Sequence, residues 1–132
     1  FELIRSAPSG NEVQTAAAYK RRSEADRSKV ISHEHWRGDW TADGAARQPL
    51  PQAISLEGLY AGLLRSVWPY AARPGELLRE QAERLSEAAK QAKLVQRLET
   101  QVRREGNFAR QVELNRDLRS ARERLRGLTD AA

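Results

Sequence analysis

The chain contains no cysteine among its 132 residues, and this absence removes several classes of protein at once. Disulfide bonds and cysteine-ligated zinc are excluded, and a reducing compartment is compatible with the sequence. No apolar run approaches the roughly 20 residues that a membrane-spanning helix needs, and no signal peptide is visible. We therefore expect a cytoplasmic protein that does not associate with membranes.

Methionine is also missing, which bears on where the sequence starts. The chain opens in Phe1-Glu2-Leu3-Ile4, an apolar run typical of a strand. We therefore expect this sequence to be the C-terminal part of a longer protein. Hydrophobic residues make up 39% and charged residues 31% of it, which predicts one domain's worth of chain with a modest core and a solvated surface.

Proline is absent from 76–128, and the rest of the chain is organised around this long charged stretch. Aliphatic residues recur there at alternating gaps of four and three, the a/d pattern of a coiled coil. In the second half the pattern consists of Leu114, Leu118, Ala121, Leu125 and Leu128. In the first half the same register contains Leu85, Ala88, Ala92, Val95 and Val102. Leu98 and Glu99 compete for one further position of this seam.

The pattern is interrupted at Gly106-Asn107, just before Phe108. Glycine accepts the left-handed conformation that ends a helix, and asparagine caps the next one. We predict a tight turn at these three residues and a helical hairpin around it. The alternative is one continuous helix that dimerises, since a single glycine costs a helix only about 1 kcal/mol. In the hairpin the expected facing pairs are Val95 with Leu118, Ala92 with Ala121, Ala88 with Leu125, and Leu85 with Leu128.

The segment before the hairpin predicts a small antiparallel sheet covered by one helix. Alternating apolar residues indicate strands at Phe1–Ala7, Glu12–Tyr19 and Lys29–Trp36. Ser55 is a suitable N-cap for a helix over Leu56–Trp68, which Pro69 ends. The predicted fold class is α+β. Its segments are the sheet portion (1–54, with a loop at 41–52), the covering helix (55–69), a hinge (70–75), the hairpin (76–128) and a tail (129–132).

Basic residues form the densest charge cluster of the chain at Lys20, Arg21, Arg22 and Arg27. One interpretation is an exposed loop whose charges compensate one another, because the neighbouring Glu24 and Asp26 supply carboxylates. The other is a contact with nucleic-acid phosphate or an acidic partner, which the formal net charge of +5 allows. A second concentration of arginines lies near the C-terminus, at Arg116, Arg119, Arg122, Arg124 and Arg126.

Two histidines, His33 and His35, are two residues apart and would share one face of a strand. We interpret them as surface or half-buried side chains beside the tryptophans. A divalent-metal site completed by Glu34 or Asp39 is the alternative, although no third ligand stands at a recognisable spacing. The sequence contains no glycine-rich phosphate loop and no Ser–His–Asp arrangement. It therefore predicts no cofactor and no small-molecule substrate, and it favours a segment without catalytic activity.

The stretch Asn107–Asn115 resembles the Q-F-N-x-K-V-E-L-N signature of the domain-of-unknown-function family 4391. The similarity continues in Ala18-Tyr19-Lys20-Arg21, in the Trp36 and Trp40 region, and in the Leu-x-x-Leu-Tyr helix at Leu56–Tyr60. It would cover the C-terminal half of the family. Departures from the signature include Asn107 in place of glutamine and Ala109 in place of asparagine, so that Asn107 would take over the capping role.

The resemblance implies a bacterial or archaeal protein, often encoded beside DNA methyltransferases and helicases of restriction-like or antiphage systems, without an established activity. We therefore expect an interaction or assembly module that binds a helicase or methyltransferase subunit or a second copy of itself. The alternative is the C-terminal part of a DNA-binding or nuclease-like protein that contacts phosphates through its basic residues.

Overall fold

The computed structural model describes residues 1–130, so the last two residues of the predicted tail lie outside the described part. The chain divides into two compact units, Phe1–Ala72 and Arg73–Ala132. Their boundary falls inside the segment predicted as the hinge. Within residues 1–130 no helix is long and apolar enough to cross a membrane.

The first unit is built on a β-hairpin. Strand β1 (Glu2–Ala7) pairs antiparallel with β2 (Gly10–Arg22). Gly10 has φ 119°, a conformation that side-chain-bearing residues rarely adopt, and this permits the tight reversal after Pro8-Ser9. Val13 and Ala16 on β2 are buried and form the apolar centre of the sheet.

Strand β2 is longer than the sequence predicts. It continues to Arg22 and pairs antiparallel with β3 (Val30–Arg37), with a register shift between Ala18 and Lys20. The expectation that 20–22 lie in an exposed loop is therefore wrong, because hydrogen bonding to β3 extends the strand through these charges. The predicted 41–52 loop also contains a short strand, β4 (Thr41–Ala42), which pairs with the start of β2.

Helix α1 (Leu56–Arg65) rests on the irregular part of β2. The Ser55 side chain caps it, accepting a hydrogen bond from the Gly58 amide at 3.1 Å. The Tyr60 hydroxyl accepts from the Lys20 amide at 3.0 Å and donates to the Ala18 carbonyl at 3.4 Å, which ties the helix to the register shift. The helix ends three residues before the predicted Trp68, in a turn that follows Arg65.

The second unit is a pair of long helices, α2 (Leu78–Arg104) and α3 (Phe108–Thr129). They run for about 40 Å and 33 Å and pack against each other. Their shared core consists of Val95, Leu98, Leu114, Leu118 and Ala121, with Leu94, Val102 and Leu125 packed on it. The predicted α+β fold with a helical hairpin is confirmed, and the continuous-helix alternative is wrong.

Candidate interaction surfaces of the hairpin

The predicted seam residues occupy the inner side of the hairpin to different depths. The buried ones are Leu85, Ala88, Val95, Leu114, Leu118 and Ala121. The half-buried ones are Ala92, Val102, Leu125 and Leu128. Leu98 fills the contested seam position, and Glu99 lies on the flank, where it pairs with Arg122 at 2.7 Å. Because side chains lean toward the N-terminus of their own helix, these two approach each other across the antiparallel pair.

The turn between the helices is made without a left-handed glycine. Among residues 1–130, only Gly10 and Gly75 have positive φ, so the left-handed conformation predicted for Gly106 is wrong. Glu105 and Asn107 instead adopt extended backbone, and this is enough to reverse the chain. Asn107 is the N-cap of α3: its side-chain oxygen accepts from the Arg110 amide at 3.1 Å. Phe108 follows as the first helical residue.

Removing this cap should weaken the hairpin measurably. Asn107→Ala leaves the Arg110 amide without its acceptor, and we expect a loss of about 1 kcal/mol in the free energy of unfolding. Asn107→Ser is the matched control, since serine caps helices about as well. Urea denaturation followed by circular dichroism at 222 nm would compare them. Equal losses in the two variants would show that the side-chain cap contributes nothing here.

The open end of the hairpin is closed by a buried ion pair. Arg84 on α2 binds the Glu76 carboxylate with two hydrogen bonds, at 2.6 and 2.8 Å, and the two side chains are only 7% and 9% exposed. Arg84 also donates to the Leu128 carbonyl at 2.8 Å. The hydrogen bond from Arg84 is the main cause that lowers the pKa of Glu76, and burial opposes it. One arginine thus joins the start of α2 to the end of α3.

A second arginine completes this closure. Arg73 donates to the Asp130 carbonyl at 3.1 Å and to the Gly127 carbonyl, while its own amide donates to Glu76 at 3.0 Å. Cations at a helix C-terminus satisfy its free carbonyls and the negative end of its dipole. We call Arg73, Glu76 and Arg84 the clamp. Sequence reasoning missed it, because Glu76 precedes α2 and no helical spacing relates it to Arg84.

One flank of α3 runs beside the seam. Phe108, Val112, Asn115, Arg119, Arg122 and Arg126 follow one another at gaps of four and three, and all are exposed. We call these six residues the α3 outer face. Its first two members are apolar, with Phe108 79% and Val112 53% exposed. Its last three members are arginines, so the face changes from apolar to basic along the helix.

The family described as "Domain of unknown function (DUF4391)" matches residues 3–125, which run from β1 to α3. The chain belongs to this family. No curated protein and no solved structure matches this chain. In this DUF4391 member, the stretch that resembles the family signature spans the cap of α3 and its first two turns.

The basic cluster predicted near β2 is not gathered into one patch in this DUF4391 member. Lys20 and Arg22 are exposed, whereas Arg21 between them is half-buried, as the alternation of a strand requires. Arg27 is exposed in the loop that follows, where Asp26 pairs with Lys29 at 3.4 Å. The four predicted contact residues are therefore divided: Lys20 and Arg22 share one face of β2, Arg21 lies on the other, and Arg27 lies in the loop.

The two histidines each lie beside an aromatic ring. The ring centroid of His33 is 5.3 Å from that of Tyr19, and His35 is 6.2 Å from Phe1. Across residues 1–130, no three histidine or carboxylate side chains come together in a way that could hold a metal ion. The alternative metal site thus gains no third ligand from the described chain.

A cleft of about 340 Å³ lies between α1 and the sheet. Ala16 and Ala18 form part of its wall because their small side chains leave space, and Tyr60, Leu63 and Val67 contribute from the helix side. His35 is the one histidine that reaches it. The cleft is mainly apolar, and Lys20, His35 and Tyr60 are the titratable side chains on its wall.

Proposed function

We propose that this chain is a non-catalytic interaction module whose helical hairpin docks a protein partner. The observation that carries the proposal is that the hairpin is closed on itself. Its seam is buried and its open end is held by the clamp, while Phe108 and Val112 remain exposed at the turn end. Clusters of exposed apolar side chains on a rigid element are typical of binding surfaces.

The partner class comes from the family resemblance. We propose that the protein is an accessory component of a bacterial DNA-modification or antiphage system. The partner would then be a helicase or methyltransferase subunit, or a second copy of this chain. A helical hairpin suits this role because it presents two rigid faces without needing to change its own fold on binding.

Two measurements test the proposal together. Size-exclusion chromatography with light scattering gives the mass of the 14.9 kDa chain alone, and pull-down against products of neighbouring genes gives its partners. We expect either a dimer or a stoichiometric complex that survives washing. A strictly monomeric chain that retains none of these products would contradict the proposal. Variants are compared only after circular dichroism shows that they fold.

A second candidate function is nucleic-acid binding, and the charge of α3 favours it. This helix carries six arginines and three acidic residues. Binding that depends on neutralising nucleic-acid phosphates weakens steeply as the salt concentration rises. A gel shift with duplex DNA at increasing salt would test this function, with Arg21→Glu/Arg22→Glu and Arg116→Glu/Arg119→Glu as separate variants. Absence of binding at low salt would remove it.

A further inference from the structure

We infer that the α3 outer face binds an acidic amphipathic helix of a partner protein. This inference rests on the proposed function and deepens it, since it names the surface and the chemistry of its ligand. The six residues from Phe108 to Arg126 follow the helical repeat over about 27 Å. A straight row of that length matches about five turns of a second helix, which is the usual way one helix recognises another.

The apolar end of the face supplies the anchor. Phe108 is the first residue of α3 and Val112 lies one turn later, so their side chains are neighbours at the turn end of the hairpin. Phe108 is 79% and Val112 is 53% exposed, and burying such side chains is the main favourable term in association. Leucine-sized side chains on the partner, one turn apart, would cover them.

The basic end of the face supplies the selectivity. Within residues 1–130, Arg119 and Arg126 are exposed and make no ion pair, while Arg122 is held by Glu99 of α2. Glu123 is the one carboxylate of α3 that stands next to this row. Two guanidinium groups two turns apart therefore face solvent, and the single carboxylate of Glu123 leaves an excess of positive charge here. Carboxylates are their natural partners because a guanidinium donates two parallel hydrogen bonds to them.

The combination favours a peptide over nucleic acid. A phosphate backbone would satisfy Arg119 and Arg126, but a duplex covers apolar side chains only at thymine methyl groups or by unstacking its bases. Base stacking could use the phenylalanine ring, but it gives no role to the adjacent valine. An acidic amphipathic helix satisfies both ends of the face at once.

The test uses a synthetic helical peptide of about 20 residues as its probe. The peptide carries two leucines one turn apart at one end and glutamates two turns apart at the other, and a second peptide replaces these glutamates with glutamine. Binding to the full chain is followed by fluorescence anisotropy at low salt. We expect the glutamate peptide to bind at least about tenfold more tightly than the glutamine peptide.

Charge-reversal variants locate the site. Arg119→Glu/Arg126→Glu should weaken binding of the acidic peptide at least about tenfold, and Phe108→Ser should weaken binding of both peptides. Arg124→Glu is the control: Arg124 is also exposed and makes no ion pair within residues 1–130, but it lies on the opposite flank of α3. This control should change the affinity less than about twofold.

Three results would overturn the inference. They are equal affinity for the glutamate and glutamine peptides, equal loss in Arg119→Glu/Arg126→Glu and Arg124→Glu, and displacement of the peptide by low concentrations of duplex DNA. If the Arg119→Glu/Arg126→Glu variant still retains a stoichiometric partner in the pull-down, the α3 outer face is not the binding surface, but the proposed docking function still holds. If the wild-type chain retains no partner at all, the function itself fails.

Discussion

Replacing Arg84 with methionine should lower the free energy of unfolding of the hairpin by about 3–5 kcal/mol. The substitution leaves the Glu76 carboxylate buried without its two strongest donors and removes the donor to the Leu128 carbonyl. Circular dichroism at 222 nm reports on the long helices. All three tryptophans lie in the first unit, so their fluorescence follows that unit separately. The loss of stability should appear in the circular dichroism signal at 222 nm.

Two further variants separate the ion pair from the packing of its side chains. Glu76→Leu/Arg84→Met removes both charges, and it should recover most of the stability that Arg84→Met loses, because no unpaired charge stays buried. An Arg84→Met variant that unfolds within about 0.5 kcal/mol of the wild type would show that the clamp is incidental.

The clamp also predicts how stability depends on pH. Arg84 holds the pKa of Glu76 below its usual value, so the unfolded chain takes up this proton more readily than the folded one. The stabilisation is therefore complete above the unfolded carboxyl pKa of about 4.3 and disappears as the pH falls through the lowered folded value. The difference in free energy of unfolding between the wild type and Glu76→Gln should be constant above about pH 5.5 and become smaller below it. A gap that widens in acid would contradict this account.

Shortening Leu118 to alanine should cost the hairpin about 2–5 kcal/mol. Leu118 is 6% exposed in the core shared by α2 and α3, and the two rigid helices cannot easily close the cavity that its loss leaves. Leu77→Ala makes the same chemical change where the side chain is 65% exposed, and it should change stability by less than about 0.5 kcal/mol. Urea denaturation at 222 nm measures both. Similar losses at the two sites would place the seam elsewhere.

The hairpin could be predicted from the sequence because its seam repeats. Leu114, Leu118 and Ala121 keep the three–four spacing, and Asn107 combines a break in the pattern with a residue that caps helices. The prediction of a left-handed conformation at Gly106 was wrong. Glycine tolerates that conformation without requiring it, and the extended backbone of its two neighbours already reverses the chain.

The clamp and the full length of β2 could not be predicted because the residues that stabilise them are distant in the sequence. From the sequence alone, Arg73 and Arg84 are interpreted as solvated charges. Only the chain reversal at Glu105 brings the carbonyls of residues 127–130 close enough to accept their hydrogen bonds. Likewise, Lys20 and Arg22 are ordinary loop residues by composition. Only pairing with β3 makes them part of a strand, and the same pairing separates them from Arg21.

The central claim is that the chain folds back at 105–107 to form a closed hairpin. The distance between the two helices within one molecule tests it. Spin labels at Lys90→Cys and Glu123→Cys, both exposed, report it in protein diluted with an excess of unlabelled chain. Packed helices lie about 10 Å apart, so with label length we predict roughly 15–30 Å. A distance near 50 Å, the span of 33 residues of unbroken helix at about 1.5 Å each, would contradict the account.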